Sequence, residues 1–276
     1  MGALTRRAFL LGAAAAASEA VLLARAPGAS AGARTPHPSA TTVPPFAPRR
    51  GLTPLRRGAP VGPLPAFIRS GPSDRPRVAL SVDDIFGASG LANLVALLDI
   101  AKQKAVQLTF FPTGGALAQH LGLGGADTWR RVVAEGHEIG NHTYTHANLT
   151  KLTDAQIRDE LVRTRDELAT VLGPTVPYTM RMMRPPGGAG GFVNGGDPRI
   201  MKVVTSFGYS MVMWTIDSNG VGNNQAFVDA ILAKATSGSI VLAHFTGLEA
   251  KYFPRLIDGL RARKLEPTNV SGLFSP

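Results

Sequence analysis

The chain has 276 residues, 44% hydrophobic and 17% charged, a length that suits one large domain or two small ones. It has no cysteine, which excludes a disulfide framework, a thiolate metal site, a cysteine nucleophile and a lipidated cysteine. The net charge of +10 does not make it a nucleic-acid binder: residues 1–77 carry eleven arginines against Glu19 and Asp74, residues 78–276 carry 18 basic against 17 acidic side chains, and no recognition motif accompanies the excess.

Residues 1–33 read as an export signal of the twin-arginine type. Arg6-Arg7 precede an apolar run, Ala8–Ala17, which Ser18 and Glu19 interrupt before Val21–Ala24. That run is too short and too broken for a membrane span of about 20 residues. Ala29-Ser30-Ala31 and Ala31-Gly32-Ala33 are small-x-small cleavage candidates; an uncleaved anchor or an amphipathic start is the competing reading. An exported protein would be extracellular or associated with the cell wall. Residues 34–76 are rich in Pro, Gly, Ser, Thr and Arg without periodicity and read as a linker. Leu64–Ile68 is its approach to the domain. The arm, with Arg49-Arg50 and Arg56-Arg57, is either a solvated tail or attracted electrostatically to an anionic cell-wall polymer or membrane surface.

From Arg77 short apolar runs alternate with helical stretches. Val78–Val82 is a β-rich run ending in Asp83-Asp84, and Leu91–Lys104 has helical periodicity. Leu108–Phe111, Glu138–Asn141, Met182–Arg184, Met211–Ile216 and Ile240–His244 read as further strands. Asp127–Glu135, Pro198–Phe207, Ala226–Ala235 and Phe253–Lys264 read as helices. Thr153–Leu172 is the clearest helix, with a capping-box pattern in Thr153 and Gln156, a stripe of Ile157, Leu161, Leu168 and Leu172, and Gly173-Pro174 as its stop. His120 is assigned to a loop, and His137 to a structural place beside a strand. The alternation argues a parallel α/β sheet over residues 77–276, open or closed into a barrel. No glycine-rich phosphate loop follows the first strand, which weakens a nucleotide-binding reading.

In such folds chemistry collects at the C-terminal ends of the strands. Asp83-Asp84, Asn141-His142, Arg184, Asp217 and His244 all fall there. His142 and His146, four residues apart, can reach one point from one face of a turn. With one carboxylate they make a three-ligand metal site that leaves a position for water. The second aspartate can take a proton, an arginine can hold it ionised, and a histidine on another strand can protonate a leaving group. Those parts suffice for metal-assisted hydrolysis of an acyl group.

The motifs Ser-Val-Asp83-Asp84, Glu135-Gly-His-Glu-Ile-Gly-Asn-His142-Thr-Tyr-Thr-His146, Arg184-Pro-Pro-Gly-Gly, Trp214-Thr-Ile-Asp217 and Leu242-Ala-His244 stand in order and rough spacing. Together they resemble the polysaccharide deacetylases (carbohydrate esterase family 4, the NodB-homology domain) over about residues 77–270. The resemblance implies a distorted (β/α) barrel with about seven parallel strands, and a divalent metal, usually zinc, on Asp84, His142 and His146. It implies Asp83 as general base with Arg184 as its partner, His244 as general acid, Gly187 as an oxyanion donor through its N–H, and an acetyl group on a polysaccharide as substrate.

Three departures stand out. Ile85 replaces the glycine after the second aspartate; since isoleucine resists a positive φ, the loop is expected to run differently, with Gly87 supplying the turn. Gly187 replaces a tyrosine, which removes a wall of the groove. Gly220 and Val221 replace an Asp-Trp pair that supports the acid histidine and lines the acetyl pocket, leaving Asp217 as the candidate substitute carboxylate and Trp214 as a pocket or core residue. Two competing functions follow: a metal- and glycan-binding protein with weakened catalysis, or another metal-dependent amide hydrolase on the same scaffold.

Overall fold

The computed structural model describes residues 63–217, 225–245 and 249–276. The export signal, the arm to residue 62, Gly220 and Val221 lie outside the described residues. In chain order the elements are β1 (Phe67–Ile68), β2 (Arg77–Asp84), α1 (Gly87–Lys104), β3 (Thr109–Pro112), α2 (Gly114–Gly122), α3 (Ala126–Ala134), β4 (Glu138–Ile139) and α4 (Asp154–Leu172). Then follow β5 (Met182–Met183), α5 (Pro198–Ser206), β6 (Ser210–Val212), β7 (Ile216–Asp217), α6 (Gln225–Lys234), β8 (Ile240–His244), α7 (Phe253–Ala262) and β9 (Glu266–Thr268).

The strands β4-β3-β2-β8-β7 form one sheet, and β9 joins the lower half of β2. A second sheet runs β1-β6-β5. A single bridge between Asn141 and Met183 carries the first sheet into the second. Every pairing is parallel. The result is the expected distorted barrel. Strands β2–β8 make up the seven or so that the resemblance implies, and β1 and β9 add short flanks. Phe67 and Ile68 pair with Met211 and Val212, so the approach segment of the linker packs into the fold.

Alternation along β2 explains where the core and the site lie. Val78, Leu80 and Val82 point outward and are buried with Leu94, Leu97 and Leu98 of α1. Ala79, Ser81 and Asp83 point inward. At the bottom of the barrel Ala79 packs with Ile240, Val212, Met182 and the C-terminal residues Val270 and Leu273, and Phe111, level with Asp83, joins this cluster from above. Higher up stand Asp83 and His244, four residues above Ala79 and Ile240, and Arg184, two above Met182. The barrel is thus plugged with hydrocarbon below and polar above. That gradient puts the charged groups at the C-terminal ends, where the loops begin.

Helix α4 forms as its pattern predicts. Thr153 Oγ1 accepts from Gln156 N, and the Gln156 side chain accepts from Thr153 N at 2.8 Å, a complete capping box. Ile157, Leu161, Leu168 and Leu172 are buried, and Gly173 ends the helix at φ 74. Two expectations are corrected. The run Met211–Ile216 is two strands, β6 and β7, because Met213–Thr215 carries the chain from one sheet to the other; Thr215 bonds to both the N–H and the C=O of Ile240. Residues 114–122 are helical, capped by Thr113 Oγ1 at 3.1 Å, and not a loop. His120 sits fully buried in that helix, with Nδ1 accepting from Trp129 Nε1 and Nε2 donating to Gly87 O, both at 3.1 Å. Burial lowers its pKa. Among the described residues no helix is long and apolar enough to cross a membrane.

Candidate metal and active site

β2 is the central strand, and its register sets Asp83 beside His244 of β8 and Phe111 of β3. Ser81 and Asp83, two apart on the inward face, share one partner. Arg184 Nη1 donates to Ser81 Oγ at 2.8 Å and to Asp83 Oδ1 at 2.7 Å. The Ser81 hydroxyl in turn donates to Val241 O at 2.7 Å. Arg184 is fully buried, and it also donates to Val212 O and Met213 O at 3.2 and 3.3 Å, while its guanidinium lies 4.3 Å from the Phe111 ring centroid. Burial lowers its pKa, and the Asp83 carboxylate opposes that. Ser81 was not singled out by the sequence; its place on the face of Asp83 was the available signal.

The chain leaves β2 through a tight turn. Ile85 N donates to Asp83 O at 2.9 Å, and Asp84 between them has φ 68, a strained γ-turn. Ile85 follows at φ 59. The expectation that isoleucine would avoid the left-handed region is therefore wrong. Both Ile85 and Gly87 (φ 64) take positive φ. The physical reason is burial: the Ile85 side chain is 2% exposed within the outer core, and the chain at Ile85 presses on Gly90 of α1, where a Cβ would come within 2.7 Å of Ile85 C. Apolar burial of one isoleucine is worth about 1.5–3 kcal/mol, enough to offset a left-handed penalty of about 1–2 kcal/mol. The turn swings the Asp84 carboxylate toward the histidines.

His142 follows the bridge at Asn141, and its Nδ1 lies 2.7 Å from Arg184 O. A carbonyl oxygen only accepts, so Nδ1 carries the proton and Nε2 presents its lone pair. Asp84 Oδ1 is 3.3 Å from that Nε2 and 3.2 Å from His146 Nε2, and it is buried without a hydrogen-bond partner. The three ligand atoms lie within 4.8 Å of one another. Burial pushes the Asp84 carboxyl up, but the two imidazoles outweigh it and hold it well below the usual carboxylate range. Contact with Asp84 raises the pKa of His146. Acceptors converging on one point repel unless a cation or a proton lies between them, so two nitrogens and one oxygen in this arrangement fit a divalent metal of the zinc class.

The remaining expected residues fall around this centre. His244 Nε2 is 3.7 Å from Asp84 Oδ2, and Asp83 Oδ2 is 3.7 Å from His142 Nε2. Among the described residues Nδ1 of His244 is buried with no hydrogen-bond partner, so Asp217 makes no hydrogen bond to it. Asp217 stands opposite Leu242 at the end of β7 and acts electrostatically on Arg184 instead. Trp214 is half-buried, with Arg184 Cζ 5.7 Å from its ring centroid and Phe192 edge-on at 5.9 Å. Gly187 is exposed at φ 57, and a Cβ there would meet nothing within 4 Å, so the wall expected to be missing is open space. His137 is buried and accepts from Leu108 N at 3.0 Å; burial, with Arg131 nearby, lowers its pKa to about 4.

A polysaccharide deacetylase family model matches residues 70–229, more than half of the chain. The chain belongs to the polysaccharide deacetylase family. Among curated members of the family it is 30% identical over 184 residues to a peptidoglycan-N-acetylglucosamine deacetylase of Bacillus cereus, covering 66% of this chain and 60% of that protein. It is 28% identical over 192 residues to a chitooligosaccharide deacetylase of Rhizobium leguminosarum bv. trifolii, covering 69% and 80%. Among solved structures it overlays wild-type BA3943, a CE4 family pseudoenzyme from Bacillus anthracis, with a TM-score of 0.65 at 25% identity, covering 77% and 70%. A BA3943 mutant with restored enzymatic activity overlays with the same TM-score at 26% identity, covering 77% and 72%. The polysaccharide deacetylase fold therefore occurs in both catalytic and silent forms.

Proposed function

We propose that this protein is an exported, metal-dependent hydrolase that removes acetyl groups from a polysaccharide, with an N-acetylated amino-sugar polymer of the peptidoglycan or chitin-oligosaccharide class as substrate. The observation that carries the reading is the partnerless Asp84 Oδ1 facing the Nε2 atoms of His142 and His146. Asp84, His142 and His146 would hold the metal, with zinc favoured by the two-nitrogen, one-oxygen donor set. When bound, such a cation acidifies water and polarises an acyl oxygen.

The chain's own groups do the rest. Asp83 is the general base. Arg184, which Ser81 also holds, pairs with it and aims it, and removing a proton from water is work for the carboxylate form. The exposed backbone N–H of Gly187 stabilises the oxyanion as the acetyl carbonyl is attacked. His244 gives a proton to the departing nitrogen or oxygen of the sugar. Asp217 tunes Arg184, and Trp214 lines the acetyl end of the groove. The export signal and basic arm fit a substrate outside the cell, with the arm drawn to an anionic wall or membrane.

Elemental analysis of the purified chain, together with acetate release from a panel of acetylated glycans, tests this. Near-stoichiometric zinc and acetate release that vanishes in His142→Ala and Asp83→Asn are expected. Absence of metal after reconstitution would overturn the reading.

A second reading has a specific observation behind it. Among the described residues His244 Nδ1 has no hydrogen-bond partner, and the family's supporting Asp-Trp pair is Gly220-Val221. A chain that binds zinc and glycan but turns over slowly fits those facts, and a CE4 family pseudoenzyme is among the solved structures it overlays. Metal bound without acetate release on any glycan would favour it.

A further inference from the structure

Both histidines of the centre lie on residues 142–146, a segment with no regular structure to hold it. Thr143 and His146 sit at φ 63 and 62, where β-branched and bulky residues rarely go. Strained backbone of this kind persists only when its surroundings over-determine it. The hydrogen bonds of the segment show what does so. The carbonyls of Thr143 and Tyr144 accept from Gly114 N and Gly115 N, at 2.9 and 3.0 Å, at the start of α2. Gly114 has to be glycine, since a Cβ would lie 2.2 Å from the Tyr144 ring. Thr143 N is taken by Asn141 Oδ1 at 2.9 Å.

The amides of Tyr144 and Thr145 share one acceptor. Glu160 of α4, a buried side chain, receives Tyr144 N at 2.7 Å and Thr145 N at 2.8 Å on Oε2, and Thr145 Oγ1 at 2.7 Å on Oε1. Three short bonds to a charged acceptor are stronger than their neutral counterparts. They clamp the two residues immediately before His146. By contrast His142 is oriented directly, through Nδ1 on Arg184 O.

We propose that Glu160 is the positioning residue for His146, fixing the strained turn so that the imidazole meets Asp84 and His142 before any metal arrives. The inference rests on the metal-site reading above. It concerns a residue outside that site, one helix away. The carboxylate is needed for its shape and reach more than for its charge. A glutamine can accept both amides on its carbonyl oxygen and donate to Thr145 Oγ1, whereas an aspartate is a methylene too short.

The test is zinc affinity of the full chain, stripped by chelator and measured by competition with a chromophoric chelator, with circular dichroism confirming the fold of each variant. Glu160→Ala and Glu160→Asp are expected to bind zinc about 10- to 100-fold more weakly, in the range seen when outer supports of ligands are removed. Glu160→Gln should stay within a few-fold of the parent. A merely structural role would lower the melting temperature of all three without this pattern of rescue. Should the alanine and aspartate variants not fold, Thr145→Val, which deletes one of the three bonds, should still weaken zinc binding several-fold. Folded variants that bind zinc as the parent does overturn the inference while leaving the proposed function standing. A parent chain that binds no zinc overturns both.

Discussion

Arg184 Nη1 lies 2.7 Å from Asp83 Oδ1, an ion pair between a fully buried guanidinium and a carboxylate whose side chain is only 3% exposed. Both charges are almost fully withdrawn from bulk solvent, so each depends on the other. Breaking a buried pair by deleting one partner typically costs about 3–5 kcal/mol. Arg184→Met is therefore expected to destabilise the chain by that order and to abolish acetate release. Chemical denaturation beside an acetate assay checks it. A stable, active Arg184→Met chain would mean that Asp83 finds its support elsewhere.

Asp84 and His146 make the metal-free protein pH-sensitive. Folding lowers the Asp84 pKa, a stabilising contribution that is present above the unfolded value and lost only in strong acid. Folding raises the His146 pKa, a contribution that is full below the unfolded value and lost as pH climbs through the raised one. The window in which both act lies in mild acid. The melting temperature of the stripped protein should therefore fall between about pH 6 and pH 9, as His146 leaves its reference range near 6.5. Zinc should reverse the trend, because it binds the deprotonated imidazoles and gains as pH rises. Thermal melts across that range, with and without zinc, decide this. Parallel curves would contradict it.

The partnerless Nδ1 of His244 bears on rate rather than on binding. Restoring the family's carboxylate with Gly220→Asp should raise kcat about tenfold or more with little change in KM, since general-acid contributions run to about 10²–10⁴. Steady-state kinetics on an acetylated oligosaccharide would show the split. An unchanged kcat would mean that the acid works without a carboxylate here.

Phe192 exposes 60% of its surface yet stands edge-on against Trp214, and Gly188 beneath them leaves no room for a Cβ. An aromatic face kept in solvent beside the groove offers contact area to a sugar ring. Phe192→Ala is expected to raise KM for oligosaccharides several-fold and leave turnover of a small acetyl ester unchanged. Equal effects on both substrates would place the loop's role in the chemistry instead.

Much of this molecule was legible in its letters. The capping box of Thr153, the stripe of α4 and the run Ile240–His244 rest on local pattern, which is what a single sequence carries, and the grouping of Asp84 with His142 and His146 rested on the resemblance of the motifs to a family. Helix α2 was missed because Gly114-Gly115 look like a breaker; they are glycines because the Tyr144 ring and backbone press on them. The split of β6 from β7 was missed because a short apolar run does not say which sheet each half joins.

The sequence by itself determined the strand–helix order, the family and the chemical types at the strand ends, since these depend on spacing and side-chain chemistry. Only the tertiary structure decided that Ile85 takes a positive φ, that Asp217 makes no hydrogen bond to His244 Nδ1 among the described residues, and that Glu160 accepts from the turn before His146. Each of those is a balance between local preference and burial or pairing with residues distant in the chain. Such balances are struck only once the barrel has closed around them.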